Sequence, residues 1–482
     1  MLCFLDRISQ VHYFCLSYIM PRTKILCTLG PSSWDRPVLQ EMIENGMTIA
    51  RINGAYADIE ELQRVAKLVR SISKEVALML DIKGAQVRLN KFEESITVQP
   101  GDEIIIGSSA EDTMYPITYP ELYRDLEKGH ILLIDDGRVK LEVVKIQDAK
   151  IKAKVIYGKK ILPGKTISTP GIPLSNPPIT KRDIEQIKFA VKDNWDYIAA
   201  SFVRNKDDIL QVKKHAKDSL IKVMAKIEDE QGVKNIEEII DVSNGIIIAR
   251  GDLGVEMPYE KIPALQKHIT TRCLLKAKPA IVATHMLESM LENPNPTRAE
   301  INDVANAVFD GCDVVWLSAE TTTGKYPVEA VKTLARISLE SEKYVVPEIL
   351  YGEPEDINPI TVALARGVID ICEGLPIDKI IVATGTGKTA RVISSFKPKQ
   401  PIIALTSNDI YQRQLQATWG VIPRVLFTED VSRDKGIKKI AKKIISEGLV
   451  KKDDLILVIR GTTPITKRTN SLEVGLAKEF LK

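Results

Sequence analysis

What most constrains this chain is a set of eight short apolar runs, each the length of one buried strand and most of them ending in a charge or a hydroxyl. They are KILCTL (24–29), TIARIN (48–53), VALMLDIKG (76–84), YIAASFV (197–203), KVMAKIE (222–228), GIIIARGD (245–252), AIVATHM (280–286) and VVWLSAET (314–321). Continuous apolar runs are what strands covered on both faces look like, and parallel pairing requires a crossover of a dozen residues or more between them. Helix-length amphipathic segments such as PVLQEMIENG (37–46) and DIEELQRVAKLVRSI (58–72) lie in the gaps. Eight strand–helix units with a parallel sheet predict a closed (β/α)8 barrel.

Two other regions break the rhythm. Between the third and fourth runs the chain reads VQPGDEIIIG, HILLIDDGRVKLEVV and KIKAKVIYG. This is short-strand and turn language, so a small β-barrel-like domain over 86–172 is expected to sit as a lid over one end of the barrel. Prolines 163, 170, 173, 177 and 178 mark the return. After about residue 345, KIIVATGTGKTARVISSF (379–396) reads as strand, loop and helix, and further strands at 401–406, 421–427 and 454–461 alternate with helical segments, which predicts an open α/β domain over 346–482. The barrel then occupies 20–85 and 173–345. Residues 1–19 read as an N-terminal extension in which Asp6 and Arg7 interrupt the apolar pattern, unlike a secretory signal.

Composition enters mainly to exclude. With 27% charged residues and a net charge of +3, there is no bulk electrostatic case for a nucleic-acid or membrane partner. No apolar run reaches spanning length. The six cysteines form no CxxC pair, and Cys27, Cys273 and Cys312 lie in apolar runs, as inert core thiols of a cytoplasmic protein do.

In a barrel of this kind the chemistry sits at the carboxyl ends of the strands. Those ends present Arg51 and Asn53, Asp81 and Lys83, Ser201 and Arg204, Lys226 and Glu228, Asp252, Thr284 and His285, Ser318 and Glu320. Surface ion pairs would account for some of them. Convergence of so many on one face is costly without a ligand, because buried charge needs a partner. Glu228 and Asp252 offer two hard oxygen donors suited to magnesium. Arg51, Arg88 and Lys226 fit phosphoryl oxygens, and Gly251 at the start of RGDLG allows backbone amides to approach a carboxylate. The ligand so outlined is a phosphorylated carboxylic acid.

Several motifs carry a resemblance: TKILCTLGPSS, MTIARIN, LDIKGAQVR, KIEDEQGVKNIEEII, ARGDLGVEMP, ATHMLESM, PTRAEINDVANAVFDG and SAETTTGKYPVEAV. Together they resemble the pyruvate kinase family over almost the whole chain from about Thr23. The resemblance implies conversion of phosphoenolpyruvate and ADP to pyruvate and ATP by a cytoplasmic, allosteric, homotetrameric enzyme. It implies Lys226, Arg51 and Thr284 as catalytic residues, with Gly251, Asp252, Ser201 and Ser318 also around the substrate. Glu228 and Asp252 match the ligands of Mg2+ (or Mn2+). Asn53, Arg88 and the lid lysine, assigned to Lys159, match the nucleotide side. In the C-terminal domain Thr384, Thr386, Gly387, Lys388 and Thr389 form a hydroxyl-rich loop suited to a phosphorylated effector, although capping alone also accounts for its threonines. GTTPITKRTN (461–470) is expected to close the same pocket.

The chain also departs from the family pattern. Of the four residues that hold potassium in the family, Asn53 and Asp81 match, but Ala55 and Ile82 bring no side-chain oxygen, and Gln86 replaces a glutamate. The expectation is a remnant monovalent site and turnover without potassium. His285 and Ala319 are further departures. Two readings of other kinds compete: a magnesium-dependent lyase or aldolase acting on an enolate, which would need neither lid nor Arg88, and a non-catalytic nucleotide sensor.

Overall fold

A computed structural model describes residues 20–481 except 91, 93–94, 108–113, 346–355, 427–433 and 462–469. The extension 1–19 and most of the 461–470 loop therefore lie outside the described residues. The eight runs form eight strands: β1 Lys24–Thr28, β2 Met47–Asn53, β3 Ala77–Ile82, β4 Tyr197–Ala200, β5 Lys222–Ile227, β6 Ile246–Ala249, β7 Ala280–Ala283 and β8 Val314–Leu317. All neighbouring pairs are parallel, and β1 pairs with β8 to close the barrel.

Side chains divide the barrel wall by alternation. Leu26, Ile49, Met79, Ala199, Met224, Ile247, Ile281 and Trp316 pack inside. Their chain neighbours Ile25, Cys27, Leu78, Leu80, Ile246 and Ile248 pack outward against the helices. This is why each run had to be apolar at nearly every position. The surrounding helices are fixed by their own ends. Asp58 caps Ile59–Ile72 by accepting from the Glu61 amide at 2.8 Å, and Leu62, Val65, Ala66 and Val69 form its buried stripe. Thr180 and Asp183 form a reciprocal capping box at Lys181–Lys192. The second oxygen of Asp183 accepts from the Lys83 amide, so this cap also anchors the turn after β3.

Behind β3 the chain leaves the barrel and builds a six-stranded sheet with its own core, including Ile106, Leu132, Leu141, Val143 and Ile151. The outgoing and returning chains run side by side: Arg88 pairs with Thr166, and the Ile167 amide donates to the Val87 carbonyl at 2.9 Å. The C-terminal domain is a five-stranded sheet of β9 Lys379–Ala383, β10 Ile402–Thr406, β11 Val421–Val425, β12 Leu455–Arg460 and β13 Ser471–Leu476, in the order β11-β10-β9-β12-β13. β13 is antiparallel to β12 and has no counterpart in the strands expected from the sequence. The basic helix Asp434–Ser446 buries Ile437, Ile440, Ala441 and Ile444, so its lysines line a solvated face.

The C-terminal domain docks on the barrel floor, at the amino ends of the strands. Ala417 joins the inner barrel core as a plug. The Tyr197 hydroxyl donates to the Gln414 carbonyl. Buried Asp196 accepts from Arg413 at 2.7 Å, from Arg70 at 2.8 Å and from the Leu78 amide at 2.8 Å.

Candidate active site

The opposite end of the barrel opens into a cavity of about 670 Å³ between the strand ends and the inserted sheet. Asp81, at the end of β3, is the centre of its charge network. Its side chain is 2% exposed. One oxygen accepts from Arg51 of β2, and the other accepts from Ser201 at 2.9 Å. Burial alone would raise the Asp81 pKa, but Lys226 and Arg51 beside it hold it below the usual carboxylate range. The Arg51 guanidinium lies 5.2 Å from the Trp316 ring centroid, a cation–π contact that holds it against the barrel wall.

Lys226, on β5, extends into this network. Its ammonium lies 2.9 Å from Ser201 Oγ, 2.9 Å from Glu228 Oε1 and 3.4 Å from Asp81 Oδ2. Burial opposes its charge, but Asp81, Glu228 and Asp252 outweigh burial and keep the lysine protonated well above its ordinary range. The other Glu228 oxygen accepts the Phe202 amide at 2.7 Å. Phe202 has a φ of +53°, a left-handed backbone that a bulky residue adopts only when its surroundings enforce it.

β6 runs directly into the helix Arg250–Glu256, which places Gly251 and Asp252 at the mouth. Arg250 holds that corner, donating to Asp303 at 2.7 Å and to the Thr284 carbonyl at 2.7 Å. The Gly251 amide donates to Thr284 Oγ1 at 2.7 Å. A Cβ on residue 251 would approach both Thr284 Oγ1 and His285 Cε1 at 3.3 Å, a tight fit that would press on both side chains. Thr284 and His285 have φ of +69° and +54°. For β-branched Thr284 this is a strained conformation, of the kind concentrated at functional sites. Glu320 is buried and spans two strand ends, accepting the Ser318 amide at 2.7 Å and the Leu287 amide at 3.1 Å.

Glu228 and Asp252, the expected metal pair, lie together on the cavity wall. Burial and the Glu228 carboxylate against it push Asp252 up to about 8. Two hard oxygen donors thus face each other with a deficit of positive charge between them. No group of three or more His, Cys, Asp or Glu suited to a metal exists among the described residues. A cation held by this pair would take its other ligands from substrate and water, as magnesium commonly does.

Of the residues expected from sequence, Arg51, Asn53, Asp81, Arg88, Ser201, Lys226, Glu228 and Asp252 line this one cavity. Gly251 and Thr284 lie against its Asp252 wall, bonded to each other. Ser318 is tied into the turn after β8. Lys159 is not a lining residue; the lid lysine at the cavity is Lys165, paired with Asp135 at 2.8 Å. Sequence reasoning also passed over Tyr56, whose hydroxyl accepts from Arg88 at 3.1 Å while its ring stacks on the guanidinium. Neither contact has a local sequence signal, because each joins residues thirty or more positions apart in the chain. In the C-terminal domain the threonine loop is largely self-satisfied: Thr384 Oγ1 accepts the Gly387 amide at 3.1 Å, and Gly387, with φ of +79°, opens the helix Lys388–Ser395.

Fold and site together define a (β/α)8-barrel enzyme whose mouth is lined by both cations and carboxylates. The family model "Pyruvate kinase, barrel domain" matches residues 20–331, and "Pyruvate kinase, alpha/beta domain" matches 362–475. The chain is 38% identical to a pyruvate kinase of Geobacillus stearothermophilus over 95% of its length and 81% of the relative's, and 37% identical to one of Staphylococcus aureus over 95% and 80%. A crystal structure of a pyruvate kinase from Cryptosporidium parvum superposes with a TM-score of 0.87 at 32% identity, covering 95% of this chain and 96% of that one. The chain belongs to the pyruvate kinase family.

Proposed function

We propose that the mouth of the barrel transfers the phosphoryl group of phosphoenolpyruvate to ADP, giving ATP and enolpyruvate, which takes a proton at its methylene carbon to become pyruvate. The single observation that supports this most is Lys226, held charged between Ser201, Asp81 and Glu228 on the cavity wall. Phosphoryl transfer needs positioning and neutralisation more than covalent chemistry. Arg51 and Lys226 supply positive charge where the transferring group develops negative charge. Gly251, Asp252 and Thr284 face the substrate carboxylate and methylene, with Ser201 and Ser318 at the adjoining strand ends. Thr284 Oγ1 is oriented by the Gly251 amide, so it can hold a proton donor in register with the methylene carbon. Asn53 and Arg88 face the nucleotide, joined by a lid lysine. Sequence reasoning assigned that lysine to Lys159; its place on the cavity favours Lys165. Mg2+ or Mn2+ held by Glu228 and Asp252 would neutralise phosphoryl charge when bound.

The monovalent site is read as a remnant. Asn53 Oδ1 is already used, accepting the Ala55 amide at 3.1 Å. Asp81 is saturated by Arg51, Lys226 and Ser201. Little oxygen is left for potassium, and the protein's own cations stand where it would act. The Thr384–Thr389 loop is read as the seat of a phosphorylated effector, in a cytoplasmic homotetramer. No helix among the described residues is long and apolar enough to cross a membrane.

A coupled assay with phosphoenolpyruvate, ADP and magnesium tests the reaction: pyruvate and ATP must form in equal amounts. Pyruvate formed without ATP would favour the lyase reading instead. Light scattering on the purified chain tests the tetramer.

A further inference from the structure

The inserted sheet meets the barrel again behind the mouth. There the chain returning from the insert, the linker after it and the helix Arg250–Glu256 enclose a cavity of about 260 Å³. Asp252 lines both this cavity and the one at the mouth. Glu256 lies four residues further along the same helix, one turn away, and lines the cavity behind. Its carboxylate accepts hydrogen bonds from the Ser168 hydroxyl and the Thr169 amide, both on the returning chain. Burial and the Asp229 carboxylate act against its charge and raise its pKa to about 7, and the two donors from the insert oppose that rise. The carboxyl end of a helix is a further disadvantage for a negative group. Contacts to the insert therefore hold this glutamate where a free one would turn its charge out to water.

What Glu256 grips is the root of the lid. Ile167–Ser168 pairs antiparallel with Ile131–Ile134, the strand that leads to Asp135 and Asp136 on the mouth cavity. Just before it, Thr166 pairs with Arg88, and Lys165 pairs with Asp135. Arg88 and Lys165 are cations that the lid brings to the mouth. Beyond Thr169 the linker is fixed to the barrel separately: Arg204 donates to the Leu174 carbonyl at 2.7 Å and to Asn176 Oδ1 at 2.9 Å. Between these two anchors the chain turns through Pro170, Gly171 with φ of +75°, and Pro173. The Arg204 anchor alone would leave the lid free to swing about this turn. The Glu256 contact lies on the lid side of the turn and removes that freedom.

We propose that Glu256 is a positioning residue: it ties the lid to the helix that carries Asp252, and so sets how far Arg88 and Lys165 stand from the metal pair. Its effect on ADP rests on the reading of the mouth given above; its hold on the lid does not. Glu256 acts through the lid root and touches no reacting atom. Arg51 and Lys226 stand on barrel strands and do not depend on it. Its loss should therefore fall on the nucleotide and spare phosphoenolpyruvate.

Glu256→Ala and Glu256→Gln in the full chain test this. Glutamine can accept from the Thr169 amide and donate to the Ser168 hydroxyl, so it keeps both links. Glu256→Ala should raise the KM for ADP by about fivefold or more and leave the KM for phosphoenolpyruvate within about twofold. Amide hydrogen exchange across 165–169 should quicken by about tenfold or more in the same variant. Glu256→Gln should return all three to within about twofold of wild type. Ser168→Ala removes one link from the lid side; it should shift the same quantities less, and it serves if the alanine variant fails to fold. Exchange reads the lid without any turnover. Faster exchange in Glu256→Ala, cured in Glu256→Gln, with ADP unaffected would keep the lid contact and count against the nucleotide reading of the mouth. The proposal falls if Glu256→Ala exchanges like wild type across 165–169, if the two KM values rise together, or if glutamine does no better than alanine.

Discussion

The two ends of the barrel carry almost the same motif. At the floor, buried Asp196 sits between Arg70 and Arg413 and takes a backbone amide. At the mouth, buried Asp81 sits between Arg51 and Lys226 and takes the Ser201 hydroxyl. The floor triad ends there: its carboxylate is matched and fastens two domains. The mouth triad continues, because Lys226 leads on to Glu228 and Glu228 to Asp252, where negative charge is left unmatched. Its neighbours Phe202, Thr284 and His285 also sit in left-handed backbone. A buried ion triad alone does not mark chemistry. What marks it is an uncompensated group beside the triad, opening on a cavity and held by strained backbone.

The largest effect expected from this contrast is at Lys226. Lys226→Met should reduce turnover by about 10³-fold or more, the scale of losing a charge that stabilises transferring phosphoryl, with a native circular dichroism spectrum. Turnover near wild type in the folded variant would place the mouth triad with the floor one, as structure only. Next, Glu228→Gln with Asp252→Asn should abolish the magnesium response and lower activity by about 10²-fold or more. Wild-type metal affinity in a titration of that variant would put the ion elsewhere.

At the floor the sign of the contrast reverses. Asp196→Asn should destabilise by about 3–5 kcal/mol, the cost of leaving buried cations without their partner, seen as a lower denaturant midpoint. The KM for phosphoenolpyruvate should not change. Adding potassium to an assay run in an organic-cation buffer should change the rate by less than about twofold, because ligation by several oxygens is what such a site requires. A strong saturable activation would show that Ala55 and Ile82 do not matter.

The smallest effect concerns Lys24, whose ammonium is buried at the floor against the Val421 carbonyl. Burial, against the pull of Glu342, lowers its pKa to about 8. A folded pKa below the unfolded one means stability present in alkaline solution and lost as pH falls through about 8. The melting temperature of wild type relative to Lys24→Met should therefore rise by a few degrees between pH 8 and pH 10.

Legibility in the sequence followed the range of the interaction. The eight barrel strands were readable because strands covered on both faces must be apolar at nearly every position. The mouth was readable because a parallel barrel brings all its strand ends together, so Arg51, Asp81, Lys226, Glu228 and Asp252 could be collected without knowing any contact. β13 was not readable: SLEVGL is short, contains glycine and pairs antiparallel at a sheet edge. Nor was the floor, where Asp196 meets Arg413 across more than two hundred residues with no periodicity to announce it. The place of Lys165 on the cavity was not readable, because the lid segment departs from the family spacing just there and only the fold shows which lid lysine lines the cavity.

The side-by-side entry and exit of the inserted sheet also bears on how the barrel can assemble. β3 and β4 are neighbours in the barrel, yet more than a hundred residues separate them in the chain. The insert has its own apolar core, and once it has formed, the Arg88–Thr166 pairing shortens the effective loop between these strands roughly threefold. Loop closure scales as (3/2)RT ln n, so this lowers the entropy cost of joining β3 to β4 by about 1 kcal/mol. An insertion that lengthens the chain can in this way quicken the search for the closed barrel, acting during folding as a staple between the two strands it separates in the chain.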